Sequence, residues 1–161
     1  MSFNDIDRSN DISQPVRLLN DNEQLKARSR YLRGDIASGL DNSLTGAVPG
    51  DDPLLMKFHG IYQQDDRDKR ADRTRRKLEP NYQFMVRLRI PGGRLTADQW
   101  LKLDDIARCY AERGLRITTR QTIQFHGVRK ADLRLAMQAI RDAGLDTVAA
   151  CDMLKYGMKI R

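Results

Sequence analysis

Residues 116–127 constrain the fold of this 161-residue chain more tightly than any other stretch. Their even positions are all polar: Arg116, Thr118, Arg120, Thr122, Gln124 and His126. Ile117, Ile123 and Phe125 bring apolar side chains at odd positions. Successive side chains of extended chain point to opposite faces, so the pattern asks for a sheet with one apolar face and one lined by hydrogen-bonding groups. Residues 86–90 alternate in the same way and can add Arg87 and Arg89 to the polar face. Arginines two apart on a strand lie about 7 Å from each other. They repel by about 0.6 kcal/mol in water and by about 2.4 kcal/mol at an effective dielectric of 20. Such a face is therefore either open to solvent or covered by a multiply charged anion, whose carboxylates pair well with guanidinium forks.

The order of signals along the chain supplies a fold. Residues 84–90 read as a strand broken by Pro91-Gly92-Gly93, and Thr96 with Gln99 forms a capping-box signature. Trp100, Leu103, Ile106, Ala107 and Tyr110 then recur at helical spacing up to Gly114. Two strands, 115–118 and 122–128, follow with a tight connection. Leu133, Ala136, Met137 and Ile140 mark a second amphipathic helix stopped by Gly144, and residues 146–151 are expected as a last short strand. The order βαββαβ is that of a ferredoxin-like α+β half-domain. Both helices should cover the face carrying Val86, Leu88, Ile90, Ile117, Ile123 and Phe125, leaving the arginine face bare of helix.

Upstream, residues 1–27 are polar and without a sustained period, and read as a disordered tail. Residues 28–80 read as an extended arm, rich in turn residues, that leans on something else rather than forming a core. Within it, residues 65–79 form a charged helix supported by the pairs Asp65–Lys69, Asp66–Arg70 and Asp72–Arg76. Residues 81–153 make the half-domain, and 154–161 a divergent end.

The net charge of +7 favours acidic or polyanionic partners without saying which. No run of residues is long and apolar enough for a membrane span and there is no signal-peptide core, so a soluble cytoplasmic protein is expected. The two cysteines, Cys109 and Cys151, form no CxxC and cannot supply the four thiolates typical of an iron–sulfur cluster; Cys109 reads as a small packed hydrophobe. No metal site is expected. RNA binding on such a sheet needs aromatic side chains on the open face, and Phe125 points the other way, so nucleic acid is the weaker partner. His126 can be a metal or haem ligand, a proton donor or a hydrogen-bonding surface residue. A second Phe-His-Gly, residues 58–60, matches 125–127 but is too short to define a repeat.

Several segments, in order, resemble one family: Tyr31-Leu32-Arg33-Gly34, residues 58–68, Lys77-Leu78-Glu79-Pro80, residues 87–93 and residues 116–127. From about residue 28 to 153 they are similar to the N-terminal part of the hemoprotein (beta) subunit of assimilatory sulfite reductase, in the nitrite/sulfite reductase siroheme family. The resemblance implies six-electron reduction of sulfite to sulfide by siroheme coupled to a 4Fe–4S cluster. Siroheme carries eight carboxylates. By position in the matching motif, Arg116, Thr118, Arg120, Gln124 and His126 would contact siroheme. Arg87 would bind sulfite, and Lys155 stands where the family has a second substrate-facing arginine. The family takes electrons from a flavoprotein reductase subunit or ferredoxin, and a separately encoded remainder is a further conceivable partner. After Met153 the similarity ceases, and the cluster cysteines and second half-domain are missing. The expectation is a truncated or frame-disrupted hemoprotein that is inactive alone. The alternative is a non-enzymatic basic module for an acidic partner or RNA.

Overall fold

The computed structural model describes residues 7–112 and 114–150. The chain opens with a 3-10 turn, Val16–Leu18, and helix α1, Asp21–Arg28, whose N-cap Asn20 accepts from the Glu23 amide. The segment expected to be a disordered tail thus contains a capped helix, anchored by Leu25 at 5% exposure. One buried leucine and a side-chain cap suffice for two helical turns that no long apolar period announces.

The presumed extended arm is more structured than its composition suggests. It forms α2 (Ile36–Asp41), α3 (Asp52–Phe58), strand β1 (Ile61–Asp65) and helix α4 (Arg67–Arg75). It is also part of the core: Val48, Met56 and Ile61 join the central apolar cluster. Two of the three expected ion pairs exchange partners. Asp65 lies on β1 and pairs with Arg70 at 2.5 Å, whereas Asp66 is the N-cap of α4 and faces Lys69 at 3.7 Å. Asp72–Arg76 forms as expected, at 3.6 Å. The helix starts at Arg67, two residues later than the charge pattern implies, which leaves Asp65 on the strand and Asp66 at the cap.

Strand β2 (Tyr82–Arg87), helix α5 (Ala97–Tyr110), strands β3 (Leu115–Ile117) and β4 (Ile123–Val128) and helix α6 (Leu133–Asp142) complete the half-domain. The capping box at Thr96 and Gln99 is present in both directions. The four strands form an antiparallel sheet in the order β1-β2-β4-β3. This is an α+β, ferredoxin-like half-domain, with one change at its edge. Residues 146–151 were expected as a strand, but among the described residues only Asp146 bridges to Arg89, and β1 takes up the rest of the β2 edge.

Leu103, Ile106 and Ala107 of α5 and Leu133, Ala136 and Ile140 of α6 are buried over Phe84, Val86, Leu88, Ile123 and Phe125. Truncating either fully buried phenylalanine to alanine should cost about 3–5 kcal/mol. Ile117 departs from the expected core and is 74% exposed, because β3 is a three-residue edge strand. Trp100, at the first turn of α5, is also 42% exposed, and Cys109 is exposed rather than packed.

The arm is tied down by charge as well as by apolar contact. Lys130 is 9% exposed, and its ammonium donates to the carbonyls of Asn42, Thr45 and Ala47 at 2.6, 3.0 and 2.8 Å. Arg134 of α6 reaches the Ala37 carbonyl and Asp41. Glu79 accepts from the Thr45 hydroxyl and the Gly46 amide, and these two hydrogen bonds hold its carboxyl below the usual glutamate range.

Candidate functional site

Three strands bring one polar row together. Arg116 on β3 pairs in register with Gln124 on β4, and Gln124 pairs with Arg87 on β2. Arg116 and Gln124 alternate with Leu115, Ile117, Ile123 and Phe125, and Arg87 alternates with buried Val86 and Leu88, so all three share the face away from the helices. Arg116 is exposed and makes no ion pair among the described residues. Arg89, expected on the same face, is instead matched by Asp146 at 3.3 Å and is not available in the same way.

The face is not uniformly open. Gln83 and Met85 have the parity of Arg87, yet they are 8% and 6% exposed, so this end of β2 is covered. Beside Met85 in register lies Tyr62 of β1. Its ring sits under the Arg87 guanidinium, with Cζ 5.9 Å from the ring centre, within range of a cation–π contact. Sequence reading did not select Tyr62. The available signal was the β-prone pair Ile61-Tyr62 directly after Gly60.

His126 follows Gln124 by two residues and stays on its side of the strand. A bulge occurs here: Phe84 faces Val128 while Val86 faces Phe125, so two steps on β2 match three on β4. The extra residue includes Gly127 at φ +77° and lets both Phe125 and Val128 reach the core. His126 is left half-buried on the polar side.

The Gln124 amide is oriented by its neighbours. Guanidinium groups have donors only, so the amide oxygen must face Arg87. In that orientation it accepts from Nη2 at 2.5 Å and Nε at 2.8 Å, and the amide nitrogen donates to His126 Nε2 at 3.1 Å.

Arg120 sits in the β3–β4 turn rather than on a strand. Thr118 organises that turn: its amide donates to the Thr122 carbonyl at 2.8 Å, and its hydroxyl accepts from the Arg120 amide at 3.3 Å. Thr122 leaves the polar face altogether, being buried with its hydroxyl donating to the Leu88 carbonyl. Pro91-Gly92-Gly93 supports the turn from below. Gly93 has φ +67°, and a Cβ there would lie 2.9 Å from that of Gln121. Of the residues expected at the site, Arg87, Arg116, Gln124 and His126 therefore share one strand-borne face. Thr118 shapes the turn that presents Arg120, and Lys155 lies outside the described residues.

This donor set suits a ligand bearing several carboxylates. It does not suit a metal cluster: no group of three or more His, Cys, Asp or Glu converges among the described residues, and the chain has two cysteines. No helix among the described residues is long and apolar enough to cross a membrane.

Residues 75–143 match the family described as Nitrite/Sulfite reductase ferredoxin-like half domain. The chain is 58% identical over 153 residues to the sulfite reductase (NADPH) hemoprotein beta-component of Methylocella silvestris, covering 94% of this chain and 26% of that protein. The protein of the same name from Nitrosomonas eutropha is 57% identical over 145 residues, covering 90% and 25%. Among solved structures, the Mycobacterium tuberculosis NirA protein superposes with a TM-score of 0.64 at 27% identity, covering 86% of this chain and 26% of that one. The chain thus spans about a quarter of the length of the relatives it matches.

Proposed function

Because this chain belongs to the nitrite/sulfite reductase ferredoxin-like half-domain family, we propose that its polar sheet face forms part of the siroheme and sulfite pocket of a sulfite reductase hemoprotein. The observation that carries this reading is the row Arg116–Gln124–Arg87 across three adjacent strands, with Arg116 exposed and unpaired among the described residues. Bound siroheme would supply the redox centre for six-electron reduction of sulfite to sulfide.

The chain's own residues do the holding. Arg116 and Arg120 pair with carboxylates, the first from a strand and the second from the turn that Thr118 shapes. Gln124 and His126 add hydrogen bonds within the same face. Arg87 provides fixed positive charge for sulfite, its guanidinium held between the Tyr62 ring and the Gln124 amide. Lys155, outside the described residues, would be a second positive charge for sulfite by its place in the family motif. A 4Fe–4S cluster, held by four thiolates, does not fit this chain's two thiols. Electron delivery by a flavoprotein subunit or ferredoxin, and any separately encoded remainder, belong to the whole hemoprotein.

Siroheme titrated into the purified chain should bind saturably, with a shift in its visible spectrum. Arg116→Ala should weaken binding about tenfold, in line with the loss of a charge-assisted hydrogen bond. A spectrum unchanged at excess siroheme would overturn the reading. The chain alone, with siroheme supplied, should show no sulfite-dependent oxidation of reduced viologen, and measurable turnover would refute its inactivity. Salt-sensitive RNA binding without pigment binding would favour the basic-module alternative. Against that alternative, Phe125 is fully buried and the Tyr62 ring is covered on one side by Arg87.

A further inference from the structure

We infer that Gln124 is a positioning residue that fixes the His126 ring in the tautomer protonated at Nδ1 and couples the protonation of that ring to the aim of Arg87. The argument needs three side chains and no ligand. Arg87 cannot accept a hydrogen bond, so it takes the amide oxygen of Gln124 at 2.5 and 2.8 Å. The amide nitrogen is left to face His126 Nε2 at 3.1 Å, and because that nitrogen only donates, Nε2 must accept. A neutral imidazole carries one proton, which is then on Nδ1.

Two consequences follow for the site. With Nδ1 protonated, that nitrogen has donor character, the kind that a carboxylate requires. Protonating Nε2 would set two donors against each other. The amide would have to turn its oxygen toward the imidazolium and withdraw the acceptor from Arg87. The charge state of His126 and the orientation of Arg87 are therefore one coupled variable. Among the described residues, the groups that face this variable include Arg87 on β2, Arg116 on β3 and Tyr62 on β1. The carboxylate match rests on the siroheme reading, whereas the tautomer does not.

His59 supplies an internal reference, since the chain contains only two histidines. Its Nε2 lies 2.9 Å from the Leu32 carbonyl oxygen, which only accepts, so that ring carries its proton on Nε2. The two rings should show opposite tautomers in the same sample. Long-range proton–nitrogen correlation spectra of the histidine-labelled 161-residue chain, at a pH where both rings are neutral, distinguish the protonated from the bare nitrogen of each.

The expected result is Nδ1–H for His126 and Nε2–H for His59. Gln124→Glu replaces the amide donor with an acceptor of the same shape and should move the His126 proton to Nε2. Arg87→Leu should free the amide to turn and leave His126 a mixture of tautomers. In both variants His59 should keep its Nε2 proton, which reports that the fold is retained. A wild-type His126 protonated on Nε2 overturns the proposal, as does a Gln124→Glu chain whose His126 proton stays on Nδ1 while His59 is unchanged. If Arg87→Leu unfolds the chain, the wild-type and Gln124→Glu spectra still decide. Because no pigment is present, failure here is separable from failure of the siroheme reading.

Discussion

Phe58-His59-Gly60 and Phe125-His126-Gly127 repeat the same three letters, and their glycines have nearly the same backbone, φ +76° and +77°. They nevertheless do different work on opposite sides of Arg87. The first copy ends a helix: His59 is the C-cap of α3, and its ring binds the Leu32 carbonyl, fastening one part of the arm to another. Gly60 then turns the chain into β1, and its carbonyl accepts from the Arg87 amide at 2.8 Å. The second copy lies within a strand at a bulge, where Phe125 fills the core and His126 meets Gln124 on the polar face. The first copy thus holds the Arg87 backbone, and the second meets the Arg87 guanidinium only through Gln124. A tripeptide does not carry a role; the element around it does.

The glycines break the comparison most strongly. At Gly60 an added Cβ would lie 2.4 Å from the Thr147 carbonyl oxygen and 2.7 Å from that of Arg87, neither of which can move without disturbing the sheet edge. Gly60→Ala should therefore cost about 3 kcal/mol or more, combining backbone strain with a clash. Gly127→Ala should cost about 1–2 kcal/mol from its left-handed conformation. Urea unfolding of the two variants measures both, and equal losses would mean that close approach at Gly60 contributes nothing.

Lys130→Met tests whether the arm-side copy depends on the strap over residues 42–47. Three carbonyls would lose a buried ammonium, at a cost of about 2–3 kcal/mol. The His59 ring signal should shift while that of His126 stays in place. Movement of both would show that the two regions are not separate.

The histidines themselves come next. His59→Ala should lower stability by about 1 kcal/mol with little effect on siroheme binding. His126→Ala should do the reverse, weakening binding with a stability loss under about 1 kcal/mol. The smallest effect is expected from pH. The Glu79 carboxyl, held below its ordinary value by Thr45 and Gly46, contributes its full stabilisation above about 4.3, the unfolded glutamate value. That contribution is lost as the pH falls through the lower folded value, so the protection of amides 45–47 against exchange should fall in acid before protection in the sheet does.

Much of the half-domain was legible in the sequence. Alternation over 86–90 and 122–128 placed Val86, Leu88, Ile123 and Phe125 inside, and the Thr96–Gln99 box located the start of α5 to the residue. Helical spacing gave the buried faces of both helices. Less of the arm could be read, because its order comes from distant partners. Val48 and Met56 are buried against the half-domain, and Lys130 meets carbonyls more than eighty residues away in the chain. Strand β1 is short and has period-two signal over too few residues to stand out, so Tyr62 went unselected. Ile117 and Thr122 obeyed the pattern but not its consequence: a three-residue edge strand leaves the first outside, and the turn rotates the second into a buried bond with Leu88.

The sequence by itself determined which residues could share a face, because side-chain parity in a strand is local geometry. It also determined that this face would be basic. Only the tertiary structure decided which of those residues meet. Pairing β3, β4 and β2 in one register set Arg116, Gln124 and Arg87 in a row, the bulge at Gly127 kept His126 beside them, and packing β1 on the β2 edge put Tyr62 under the guanidinium. Register and bulge position depend on contacts between segments far apart in the chain, and no periodicity within one segment encodes them.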